Sequence, residues 1–362
     1  MGKEKEQTEK EPVKESVRGA VGGQAVIEGV MMKSKDSIAI AVRRESGEIV
    51  KSLKPYKSIR DQYKILNIPV VRGFVNFIEM MSMSMSTMNE SVEMLGLEEE
   101  FAKKDHSNAE SKKSGTSSIT LVASIVGIIL GLALSFGLFF FLPTFIGSRI
   151  KAAIPQIANM GWVISIIEGI TRLMIFIIYI LLVSLMKDIR RTFEYHGAEH
   201  MSVFCYEAEK ELTVENAKKY SRFHPRCGTS FLIVMMIIGV VISSLIPSSF
   251  GMWLRLGVKL AVFPFIIGIG FEFIKYAGKH DSVIVKIVSA PGLWIQRLTT
   301  KKPDDMQLEV AVVSLRLALG IDSVENIVGA ESISAQTTES LENRADMESA
   351  PTENSPDNEN AE

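Results

Sequence analysis

Long apolar runs constrain this chain more than any other feature. A helix needs about 20 apolar residues to cross the hydrocarbon of a bilayer, and residues 119–146 contain no charged side chain at all. A second run covers 161–185, interrupted by Glu168 and Arg172. A third, 231–246, is short but very apolar, and a fourth, 254–274, carries Arg255, Lys259 and Glu272. The expectation is a mainly α, polytopic α-helical membrane protein with about four transmembrane helices. A re-entrant pair is the alternative for the last two runs.

Orientation follows from the basic residues in the short connections. The segment 186–230 holds eight Lys and Arg, the 147–160 connection holds two, and PSSFGM between the third and fourth runs holds none. Lys275, Lys279 and Lys286 follow the fourth run. All of this predicts a multi-pass protein of the cell (inner) membrane with both termini and the 186–230 loop in the cytosol. Nucleic acid is a poor fit as partner, because the basic residues flank spans and topology explains them. The expected partners are the lipid bilayer and a protein, either a second copy or another chain.

The flanking parts divide by composition. Residues 331–362 carry nine acidic side chains and one arginine, net −8, without aromatics. Such a segment buries too little apolar surface to offset its ordering entropy, so 1–18 and 323–362 are expected as disordered tails. No secretion signal is expected at the start. Residues 19–118 are expected as a small cytoplasmic α+β module before a membrane domain at 119–276. Within it, Ile38, Ile40 and Val42 alternate as a half-buried strand, and Ile49–Leu53 follows the turn Glu45–Glu48, which predicts a β-hairpin. GGQAVIEGVMM at 22–32 is expected as strand or tight loop, and the Met-rich Val70–Leu95 as helix. In 277–322, Ser282–Leu298 has interfacial character. Asp304 or Asp305 is expected to cap a last helix, 306–319, whose Leu308, Val312, Leu315 and Leu319 share one face.

The most specific local pattern is His196-Gly197-Ala198-Glu199-His200. Two histidines four apart on a helix stand one turn above the other and can converge on one ion. With Glu199 between them they match H-x-x-E-H, in which the glutamate is the general base of a metallohydrolase. His224 and Cys227, in the turn HPRCG, are expected as further ligands of a divalent metal, zinc first, and Glu207 lies on the same helix face as His200. The cytosol keeps Cys205 and Cys227 reduced, so a disulfide is not expected. Glu168 and Arg172, also four apart, are expected to pair along one helix face, as a structural ion pair or as part of a path. Glu272 reaches the histidines only if the segment after the second span bends back.

The blocks GGQAVIEGVMMK, EYHGAEH, HPRCGTSFL and APGLWIQRLTTKKPDDMQLEVAV resemble the signature segments of the YqhQ-like family (domain of unknown function 1385), bacterial membrane proteins labelled predicted metal-dependent enzymes. The resemblance runs from about Gly19 to Leu319 and carries no assigned catalytic roles. The leading expectation is a metal-dependent hydrolase at the cytoplasmic membrane face. A non-catalytic scaffold or assembly factor is the alternative, and a transport subunit using Glu168, Arg172 and Glu272 is the third. Cysteine labelling from outside intact cells should reach a probe at Ser249 and miss one at Lys210. Labelling at Lys210 would reverse the topology.

Overall fold

A computed structural model describes residues 21–96, 118–157, 159–247, 249–277 and 282–323. Both expected tails lie outside these residues, apart from Ser323. Contacts divide the chain at residue 321, and the strands and helices of the fold belong to the unit that ends at Ile321.

Four strands, β1 (Gly22–Val26), β2 (Gly29–Lys33), β3 (Ser37–Arg43) and β4 (Ile49–Pro55), form an antiparallel meander in chain order. β3 and β4 are the two arms of the hairpin, and 22–32 supplies two strands joined by a tight turn at Ile27 and Glu28. The sheet is covered on both faces, so Ala39 and Ala41 are as buried as Ile40 and Val42. One face, with Val26, Met31, Ile40 and Val42, packs on methionines of helix α1 (Val71–Met94). The other face, with Val30, Met32, Ala39 and Ala41, packs on two helices that lie far along the chain.

The rest is helical. Helix α2 (Ser118–Phe136) runs through a π-helical stretch, Gly137–Phe141, into α3 (Leu142–Ala153). Helices α4 (Gly161–Val183) and α5 (Lys187–Glu207) are separated by a break at Ser184–Met186, where Met186 adopts an extended conformation. Then come α6 (Gly228–Ser244), α7 (Met252–Ala277), α8 (Val283–Thr299) and α9 (Asp305–Ala318). Three stretches are long and apolar enough to cross a membrane: Val126–Ala153, Gly161–Val183 and Met252–Ala277. The remaining expected span, α6, is apolar but only 17 residues long. That is short of the usual 20 or so, so the described residues hold three helices of spanning length against the four runs expected.

The sheet's second face is closed by α5 and α9, so the sheet layer is assembled from three separate parts of the sequence. Asp304 caps α9 and forms a capping box with Gln307, and Leu308, Val312 and Leu315 face the sheet layer. Ser37 and Ser314 add side-chain bonds, to the Ala318 and Ala39 carbonyls respectively.

The charges among the apolar helices are partnered differently from the local pattern. Glu168 makes its close contacts across to α7, with Lys259 and, at 3.6 Å, with Arg255, rather than along its own helix with Arg172. Lys259 also donates to Thr144 Oγ1 at 3.0 Å. Arg172 instead donates from Nε to the Phe139 carbonyl at 2.8 Å. The α-helical donor to that carbonyl would come from residue 143, a proline without an N–H, so the arginine takes the place of an i+4 bond that cannot form. Glu272 pairs with Arg72 at the start of α1, tying that helix to the end of α7.

Candidate metal centre

Helix α5 carries most of the site. Residues Tyr195 and Gly197 to Val203 are buried in an unbroken run, because α5 lies between the sheet on one side and the segment after α8 on the other. Gly197 is required on the second side. A Cβ there would collide with the Lys301 carbonyl oxygen, whose residue docks by donating its N–H to the Phe193 carbonyl at 2.8 Å. Gly23 of β1 does the same on the first side, where an added Cβ would stand 2.9 Å from Glu199 Cγ. The β1–β2 turn is held against α5 by Arg191, which pairs with Glu28.

The ring nitrogens of the two histidines are sorted by this packing. His196 Nδ1 lies 2.9 Å from the Thr299 carbonyl and His200 Nδ1 lies 2.5 Å from the Arg222 carbonyl. A carbonyl can only accept, so each neutral imidazole carries its proton on Nδ1 and presents a lone pair on Nε2. His196 Nε2 is 3.2 Å from Cys227 Sγ, and the ligand atoms of His196, His200 and Cys227 all lie within 4.8 Å of one another. Tetrahedral zinc at ordinary N and S bond lengths sets ligand atoms about 3.3–3.6 Å apart, so the trio fits such an ion after small adjustments. Backbone acceptors behind metal-bound imidazoles are the usual means of fixing them. Cys227 is the N-cap of α6 and accepts from the Thr229 N–H at 3.5 Å, so its sulfur sits at the positive end of an apolar helix.

Glu199 Oε2 lies 3.4 Å from His200 Nε2, beside the trio. Burial pushes its carboxyl up to about 7, with His196 and the Gly23 N–H pulling the other way. Burial likewise lowers the His200 imidazole.

His224 is close but committed elsewhere. Its ring centre is 5.5 Å from that of His200, its Nδ1 accepts from the Arg226 N–H at 3.3 Å, and its Nε2 lies 3.5 Å from Glu207. Burial pushes it down to about 4, so it stays neutral. Burial works to raise Glu207, but His224 and Arg226 outweigh it and bring the carboxyl down to about 2. Glu207 and His224 therefore form the wall behind His200, while Glu168, Arg172 and Glu272 are engaged elsewhere in the bundle. Cys205 is free and buried in the sheet-facing core, where burial raises its thiol to about 11.

Gln296 of α8 is a site residue that no motif indicated. Fully buried, it accepts from the His224 N–H and donates to the His224 carbonyl, both at 2.7 Å, and donates to Ser230 Oγ at 3.0 Å. It clamps the turn that delivers Cys227. Gly23, the α5 residues, the 224–227 turn and the pair Gln296 and Thr299 come from four distant segments and meet here.

A family model described as "Protein of unknown function (DUF1385)" matches residues 68–321, which takes in every group of this centre except Gly23. The chain belongs to the DUF1385 family. It is also 34% identical over 312 residues to "Uncharacterized protein YqhQ" of Bacillus subtilis (strain 168), covering 86% of this chain and 96% of that one. No solved structure matches.

Gln296→Leu keeps the volume but removes three hydrogen bonds from the turn. Zinc affinity, measured by competition with a chromophoric chelator, should fall roughly 10–100-fold, the usual effect of losing an outer-shell partner. Unchanged affinity would show that the turn holds Cys227 without the clamp.

Proposed function

We propose that this protein spans the cell (inner) membrane several times, with both termini in the cytosol, and holds one divalent metal, zinc first, at the cytoplasmic face for hydrolytic chemistry. The observation that carries this reading is the convergence of one ligand atom each from His196, His200 and Cys227 within 4.8 Å, with each histidine Nδ1 facing a carbonyl. Cys227 caps an apolar helix, so the centre belongs at the boundary between the membrane domain and the sheet layer. Helix α6 is counted here as a fourth span despite its length, because the basic 186–230 loop before it and the uncharged turn after it place its ends on opposite sides. Fewer than 20 residues cross where the bilayer thins locally.

Three protein ligands of N, N and S type are the number a catalytic zinc keeps, and when bound such an ion supplies Lewis acidity toward a carbonyl or phosphoryl group. Glu199 stands beside the trio, where it accepts the proton of an attacking nucleophile. The His196 and His200 backbone contacts hold both rings in place, and the β1 strand beside Glu199 shuts that flank to water.

A second reading, a closed structural centre in a non-catalytic scaffold, draws on the burial of Glu199 and His200, which are 5% and 2% exposed. Glu199 would then be the fourth ligand. Protein purified without chelators should contain one metal per chain, and His196→Ala or His200→Ala should lose it. In cobalt-substituted protein, azide should shift the visible bands, as an open coordination position requires. Glu199→Gln should keep the metal while hydrolysis of activated acyl or phosphoryl esters falls roughly 10²–10⁴-fold. An azide-silent centre that loses metal in Glu199→Gln favours the scaffold, and wild type with well under one metal per chain ends both readings.

A further inference from the structure

The apolar helices form a half-open cavity of about 500 Å³ between α2, the π-helical stretch, α4, α6 and α7, with Phe139, Arg172, Phe176, Gly239, Lys259 and Phe263 on its walls. It is separate from the metal centre, and none of His196, Glu199, His200, His224 and Cys227 lines it. Most of its lining is hydrocarbon, which marks it for an apolar ligand, but a guanidinium and an ammonium stand in the wall.

The charge around it does not balance. Among the described residues, Arg172, Arg255 and Lys259 share one carboxylate, Glu168, in this interior, and Glu168, Arg255 and Lys259 are all at most 4% exposed. Glu168 neutralises Lys259, its close partner. Arg255 is left with Nε and Nη2 buried and without a hydrogen-bond acceptor. Among the described residues, Arg172 donates from Nε to the Phe139 carbonyl, contacts the Phe140 ring, and senses the charge of Glu168 without a close ion pair to it. The Nη edge of its fork is therefore available to the cavity. Uncompensated cations at such depth are costly, and a bound anion offsets that cost.

Position narrows the anion. Arg172 lies 11 residues from either end of α4, about 16 Å along a helix from each end. At that depth a two-chain lipid would have to draw its headgroup far below the interface, whereas a single chain places its one carboxylate against the fork and its hydrocarbon along Phe176 and Phe263. We propose that this cavity binds a single-chain carboxylate amphiphile, a fatty-acid-class ligand, with Arg172 as its anchor. The proposal uses the membrane-spanning arrangement but is independent of the metal centre.

The test uses full-length protein in phosphatidylcholine nanodiscs and a diazirine-bearing oleate. Photolabelling should map to peptides containing residues 131–140 and 232–239. Oleate should compete roughly 10–100-fold better than methyl oleate, the worth of one charge-assisted contact. Arg172→Gln should erase that difference. Gly239→Leu fills the space beside Arg172, where a Cβ would stand 3.7 Å from Nη1, and should abolish labelling while leaving metal content and elution profile unchanged. Equal competition by the ester, or a preference that survives Arg172→Gln, overturns the proposal. Competition by phosphatidylglycerol as strong as that by oleate also overturns it, by moving the ligand to the phospholipids. Selective oleate binding in protein without metal would retain this site and remove the proposed function.

Discussion

An imidazole packed away from water needs partners for its ring nitrogens, and the way the half-buried His196 and the buried His200 meet that need governs the rest of the sheet layer. Each is anchored at Nδ1 by a carbonyl from a segment distant in sequence, Thr299 and Arg222. Those carbonyls reach the rings because α5 is approached closely on two sides, by Lys301 over Gly197 and by β1 over Glu199. Because α5 is thereby buried on both sides, the sheet, α9 and the segment after α8 must close around it. The orientation of two lone pairs and the assembly of three separated chain segments into one layer are the same packing problem.

The apolar helices obey a parallel constraint. Backbone acceptors and charges among apolar helices need partners inside the protein. Pro143 cannot give the Phe139 carbonyl an i+4 bond, and Arg172 takes its place. Glu168 is drawn to the two cations of α7, and Arg72 takes up Glu272. These cross-helix contacts fix how α3, α4 and α7 meet.

Elements with a strong local signal were legible from the sequence: the hairpin of β3 and β4, the Met-rich α1, the capped α9, and the His196–His200 spacing that stacks two rings. Signals that depend on tertiary contact were not. Glu168 and Arg172 have helical pair spacing, yet stronger partners on another helix separated them. The alternation at Ile38, Ile40 and Val42 implied one buried face, but α5 and α9 cover the second, which the small Ala39 and Ala41 permit. Gln296 is a single polar residue in an apolar stretch, and only the fold brings it to the 224–230 turn. The short apolar run at 231–246 was legible as such, and it folds into α6, whose 17 residues leave three described helices of spanning length.

X-ray absorption at the zinc edge of the purified wild-type protein decides whether His196, His200 and Cys227 hold a metal, because it reads ligand type and distance without a substrate. The expected first shell has two nitrogen scatterers at about 2.0–2.1 Å and one sulfur at about 2.3 Å, with the sulfur lost in Cys227→Ser. A first shell of oxygen and nitrogen alone in the wild type, or a sulfur shell that persists in Cys227→Ser, would contradict it.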